Sequence, residues 1–207
     1  MEEERVENPI AKVEFDEAKK LADLGAIVQD LGSTMKICSR LKKLLEEKSQ
    51  DSLLIESFWT TALIKYARCF KTGRRFGLSE SIFDGLKGEP HKVHKLYIDL
   101  RDKHTAHSVN QFEQMQVGLV LSPKDSDERK VVGVATLSMR HIVTDAEGVH
   151  QLGLLSKVLL EKVCGLAKQY KNKVLEKGGT IPIDDLYKRA RPRITAPGPE
   201  ESAEPRL

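Results

Sequence analysis

Leu54–Phe70, with the sequence LIESFWTTALIKYARCF, decides the fold class. Leu54, Phe58, Ala62, Tyr66 and Phe70 recur every four residues, with Trp59 and Leu63 alongside, the spacing of a helix with one buried face. Gly73 is read as the point where this helix stops. Trp59 lies one turn from both Ile55 and Leu63, which makes it a packing residue.

On the N-terminal side, a polar break from Glu46 to Asp51 separates this run from an earlier one. There Phe15, Ala18, Leu21, Ala22, Gly25, Val28, Leu31, Met35, Cys38, Leu41 and Leu45 recur mostly at steps of three and four, which predicts one long helix, or two joined near Gly32-Ser33. On the C-terminal side, Gly77 to Pro90 reads as a loop with one short turn of helix around Ser81 to Leu86. A third helix starts near Pro90 and carries Val93, Leu96, Tyr97, Leu100 and Ala106. Gln114 to Leu121 and Lys130 to Met139 are rich in valine and leucine, and the polar stretch Ser122 to Arg129 between them predicts an antiparallel hairpin. Helical spacing returns from Ala146 to Glu176 and ends at Gly178-Gly179.

The expected architecture is therefore mainly α, a four-to-five-helix up-and-down bundle with a small antiparallel β-hairpin after the third helix. Residues 1–14 are expected to be a flexible N-terminus and 15–179 a single domain, with the hairpin at about 114–139. Residues 180–207 are expected to be a disordered tail, since five of the eight prolines fall there.

Composition excludes several function classes. The chain has 207 residues, 34 Lys+Arg, 31 Asp+Glu and a net charge of +3, so a charged partner must be recognised by local clustering rather than by overall charge. Cys38, Cys69 and Cys164 are far apart, form no C-x-x-C pair and are read as core thiols in a reducing, cytoplasmic setting. The acidic start, Met1 to Asn8, is not followed by an apolar stretch, and the longest apolar runs are far short of a membrane span. No cofactor, metal or membrane partner is expected.

The chemistry-bearing stretch is Leu100-Arg101-Asp102-Lys103-His104-Thr105-Ala106-His107. It supplies a fixed cation for a phosphate, a polar orienting group and imidazoles that titrate near neutrality, the parts of a metal-independent ribonuclease. In such chemistry histidine assists attack of a ribose 2′-hydroxyl on phosphorus, and arginine stabilises the growing phosphoryl charge.

Arg101 to His107, in a helical context, resembles the Arg-x(4 to 6)-His motif of the HEPN superfamily, closest to its abortive-infection, AbiU-type branch. The resemblance spans roughly Phe15 to Val174 as an architecture, with the hairpin as an embellishment. It implies a homodimeric helical bundle acting as an RNA endonuclease of a toxin–antitoxin or phage-defence system, with an antitoxin or operon partner. It also implies Arg101 as the phosphate-binding residue, Asp102 as its polar neighbour and His107 as the catalytic histidine, with His104 accessory. On an ideal helix Arg101 and His107 lie roughly 120° apart. A composite site across a two-fold axis, as the family implies, would join them at one phosphate.

A second candidate is the basic set Lys65, Arg68, Lys71, Arg74 and Arg75, which could track an RNA backbone as a stripe winding away from the apolar face of the second helix. A solvated helix C-terminus favouring cations explains the same residues without RNA. The spacings His91/His94 and His104/His107 place imidazoles at i, i+3, but the two pairs are too far apart for one four-ligand metal site. The rival to a nuclease is a catalytically inactive HEPN-like module that binds nucleic acid or protein.

Overall fold

The computed structural model describes residues 8–71, 75–102, 113–140 and 145–191. In chain order these form β1 (Ile10–Ala11), α1 (Asp16–Glu46), α2 (Ser52–Arg68), a 3₁₀ turn (Glu80–Phe83), α3 (Pro90–Leu100), β2 (Glu113–Leu121), β3 (Val131–Arg140), α4 (Ala146–Gly178), α5 (Ile183–Arg189) and β4 (Ala190–Arg191). The protein is mainly helical, with one small antiparallel hairpin following α3 and a minimal pairing of β1 with β4. The chain divides into two compact units, Asp23–Leu166 and Met1–Ala22 with Ala167–Leu207.

In the larger unit the core is built from matched helical seams. Leu24, Ile27, Leu31, Thr34, Cys38 and Leu41 of α1 are buried at alternating steps of three and four, and Val149, Leu152, Ser156, Leu159 and Val163 of α4 repeat the pattern. Such a 3-4 alternation keeps one stripe of a helix on its partner over many turns. Cys38 and Gly153 mark a close approach, since a Cβ on Gly153 would lie 3.1 Å from the Cys38 Cβ. Of the two readings of the first helical run, the structure has one continuous helix. Glycine costs about 1 kcal/mol in a helix interior, but Gly32 is flanked by buried Leu31 and Thr34, and the Thr34 hydroxyl donates to the Asp30 carbonyl at 2.9 Å.

The second helix begins where Asp51 accepts from the Leu54 N–H at 2.9 Å, a side-chain cap. It ends at Arg68 rather than near Gly73. The chain then folds back, with the Leu78 N–H donating to the Cys69 carbonyl at 2.8 Å. A side chain on Gly77 would meet the Phe70 and Lys71 carbonyls at 3.0 Å, so the reversal is tight enough to require glycine there. Ile55, Trp59, Ala62, Leu63 and Tyr66 face the core, and Trp59 meets the Tyr97 ring edge-on with centroids 6.2 Å apart. The Tyr97 hydroxyl donates to the Gly148 carbonyl at 2.6 Å, tying α3 to α4. Lys162 donates to the carbonyls of Ile82 and Asp84, which fixes the 3₁₀ turn on α4.

The hairpin pairs Glu113 with Arg140 through to Leu121 with Val131, and an extra residue, Val132, bulges from β3 opposite the step from Val120 to Leu121. Its boundaries match the expected hairpin to within a residue at each strand end. In the smaller unit, Ile10 pairs with Arg191 and Ala11 with Ala190, while Lys177 bonds Glu17 at 2.9 Å and lies over the Phe15 ring. Residues 10–11 of the expected N-terminal segment and 183–191 of the expected tail thus have secondary structure. Residues 10–11 and 190–191 supply each other's backbone hydrogen-bond partners, while 183–189 form their own within α5. Residues 192–207 lie outside the described residues.

Candidate functional site

Three of the predicted basic residues converge on one carboxylate. Asp30 is buried in the middle of α1, and its Oδ1 lies 3.5 Å from Lys65 Nζ. Its Oδ2 lies 3.5 Å from Arg68 Nε and 3.3 Å from Arg75 Nη1. Arg75 also donates through Nη2 to the Arg68 carbonyl at 2.8 Å, locking the segment after α2 against the helix end. The expected stripe winding away from the core is thus corrected: Lys65, Arg68 and Arg75 gather over a buried anion. The physical reason is that an isolated buried carboxylate is costly, whereas one ringed by cations is not. Three positive groups on one negative leave the cluster with excess positive charge, and Arg68 keeps about half of its side chain in solvent.

The fourth member, Lys71, points to the other candidate. Its Nζ bonds Asp102 Oδ2 at 3.2 Å, and Asp102 Oδ1 accepts from Arg101 Nη1 at 2.6 Å. The Arg101 guanidinium, followed by Lys71, holds the Asp102 carboxyl below the usual carboxylate range. Arg101 and Asp102 follow the last residue of α3 as one wider helical turn, and both side chains stay partly exposed. The two features that the sequence presents separately, the basic set and the Arg-Asp pair, therefore meet through Lys71. Arg74, His104 and His107 lie outside the described residues.

The remaining expectations resolve individually. His94 is buried: its Nδ1 is 2.9 Å from the Tyr66 hydroxyl, and its ring packs against Phe70 and Phe83. Burial pushes its pKa down, with His91 adding to the effect and Glu80 opposing it. His91 is exposed, 3.6 Å from Glu80 and 3.9 Å from Asp84. No group of three or more metal-ligating side chains occurs among the described residues. Cys38 and Cys69 are buried, and burial pushes both thiols up to about 12. Cys164 is exposed, which corrects its reading as a core thiol: it neighbours the buried Val163 on α4 but faces away from the seam.

Sequence reasoning missed Asp30 and the Tyr66–His94 pair. The signal for Asp30 was present, an acid placed three residues after Ile27 and four before Thr34, at core spacing on an apolar face. A buried acid at that spacing requires cations, and Lys65 and Arg68, at the same i, i+3 interval on the second helix, supply them. No helix among the described residues is long and apolar enough to cross a membrane. Comparison with protein-family models, curated proteins and solved structures gave no match.

Proposed function

We propose that the chain is a HEPN-like, metal-independent RNA endonuclease of toxin–antitoxin or phage-defence type, a homodimeric helical bundle working in the cytoplasm beside an antitoxin or operon partner. The observation that carries this reading is the Lys71–Asp102–Arg101 chain, which brings one member of the basic set onto the Arg-Asp pair that opens the motif. Arg101 is held in place by Asp102 while remaining partly exposed, as a phosphate-binding arginine must be. Arg68 and Lys71, each about half exposed, present the positive surface along which an RNA backbone would lie, with Lys65 and the largely buried Arg75 adding charge behind them at Asp30, and Arg74 is assigned to the same surface from the sequence. In the reaction Arg101 stabilises charge on the phosphoryl oxygens. His107, assisted by His104, takes the proton of the attacking 2′-hydroxyl, the 2′-oxygen bonds to phosphorus as the phosphorus–5′-oxygen bond breaks, and the departing 5′-oxygen takes a proton back from the imidazolium or from water. The product carries a 2′,3′-cyclic phosphate.

The test is incubation of the purified chain with mixed cellular RNA in EDTA, wild type beside Arg101→Ala and His107→Ala, followed by end-group mapping. Cleavage by wild type alone, leaving cyclic phosphate ends, is the expected result. If all three folded proteins are inactive but the wild type retains RNA in a filter assay, the inactive binding module replaces the enzyme. If wild type neither cleaves nor retains RNA, the RNA reading itself is wrong.

A further inference from the structure

The β2–β3 ribbon is the least explained part of the molecule. Among the described residues each strand pairs only with the other, and a two-stranded ribbon is marginally stable in water unless more strands or a packed face support it. The register puts six large apolar residues, Met115, Val117, Leu119, Leu121, Val131 and Val134, on one face, which also includes Thr136 and Ser138 and, at its open end, positions 113 and 140. All six apolar side chains are exposed, between 53% and 74%. The opposite face has Gln116, Gly118, Val120, Gly133, Ala135 and Leu137, so the apolar surface is concentrated on one side.

We infer that this apolar face is an interface with a second copy of the chain, the two ribbons stacking face to face about a two-fold axis. The occupant follows from charge and area. Ionisable residues on this face are confined to its open end, where Glu113 and Arg140 are opposite in register, one of each sign, so the face has no net charge to select an acidic or basic partner and is compatible with a second copy of itself. Six such side chains at roughly 100 Å² of apolar surface each present about 600 Å² per copy. That is at the top of what a monomer leaves exposed. Doubled in a symmetric pair it comes to about 1,200 Å², the lower bound of a stable specific interface. Stacking also supplies the second layer that the isolated ribbon lacks, because packed sheets share a core about 10 Å thick. The inference rests on the homodimer of the proposed function and names its interface, while the nuclease chemistry is tested separately by RNA cleavage.

Sedimentation velocity of the full chain under reducing conditions tests it. Wild type is expected at twice the 23.3 kDa monomer mass at micromolar concentration. The triple variant Val117→Thr, Leu119→Thr, Val134→Thr retains β-forming residues but removes the apolar face, and is expected to be monomeric with the dimer dissociation constant raised at least 100-fold. The control Val120→Thr, Leu137→Thr alters the opposite face and is expected to dimerise as wild type does. Circular dichroism checks that both variants keep the helical signal. A wild type that is monomeric at 100 micromolar overturns the inference and leaves the ribbon to a different protein. A folded triple variant that dimerises with unchanged affinity overturns it too and moves the interface to the long helices.

Discussion

At the scale of single residues, His94 shows how burial converts a candidate ligand into a stability determinant. Its pKa is lowered in the fold, chiefly by burial, while the unfolded chain titrates near the ordinary value of about 6.5. Between those two values the unfolded state binds more protons, so stability rises with pH there. The contribution is fully present above about pH 6.5 and is lost as pH falls through the folded value. Urea midpoints measured from pH 8 downward are expected to hold steady and then decline below that point, and His94→Gln is expected to flatten this decline. A decline unchanged in the variant would assign it to other groups. In the sequence, His94 was legible only as half of a His-x-x-His spacing; its partner Tyr66 is 28 residues earlier, and no local pattern encodes such a pairing.

At the scale of elements, the helices were the most legible part of the chain, because a 3-4 apolar alternation has one structural solution. The end of α2 was not legible: apolar Phe70 continues the period past Arg68, but the pull of Asp30 on Arg75 and the return of Leu78 to Cys69 stop the helix earlier. The two helix glycines Gly32 and Gly153 illustrate the same division. Nothing lies within 4 Å of a Cβ built on Gly32, whereas one on Gly153 meets Cys38 at 3.1 Å. Gly32→Ala is therefore expected to stabilise the protein by about 0.5–1 kcal/mol through helix propensity. Gly153→Leu is expected to destabilise it by about 2 kcal/mol or more through overpacking between α1 and α4. Chemical denaturation of both variants checks the pair of signs, and a stabilising Gly153→Leu would show that the two helices can separate freely at that point.

At the scale of the whole molecule, the balanced net charge hides a local excess of cations, and ionic strength is the variable that exposes it. If the surface carrying Arg68 and Lys71 contacts phosphates, affinity for single-stranded RNA falls with salt, each contact contributing about 0.7 to the logarithmic slope. Arg68→Ala with Lys71→Ala is expected to reduce that slope by about 1.4 without unfolding the chain, since both side chains are about half exposed. Fluorescence anisotropy across a salt series measures it, and an unchanged slope would place the contact surface elsewhere. Arg75 is unsuitable for this test, because it is mostly buried against Asp30 and its loss would disturb the fold.

Local periodicity by itself determined the mainly helical class and the hairpin after α3. These depend on interactions within a few residues, where spacing dictates which side chains share a face. Only the tertiary structure decided that three cations surround Asp30, that Lys71 reaches Asp102, that Tyr66 holds His94 and that residues 10–11 pair with 190–191. Each joins groups distant in the chain, and their pairing comes from the need to satisfy buried charge and backbone polarity once the helices have packed.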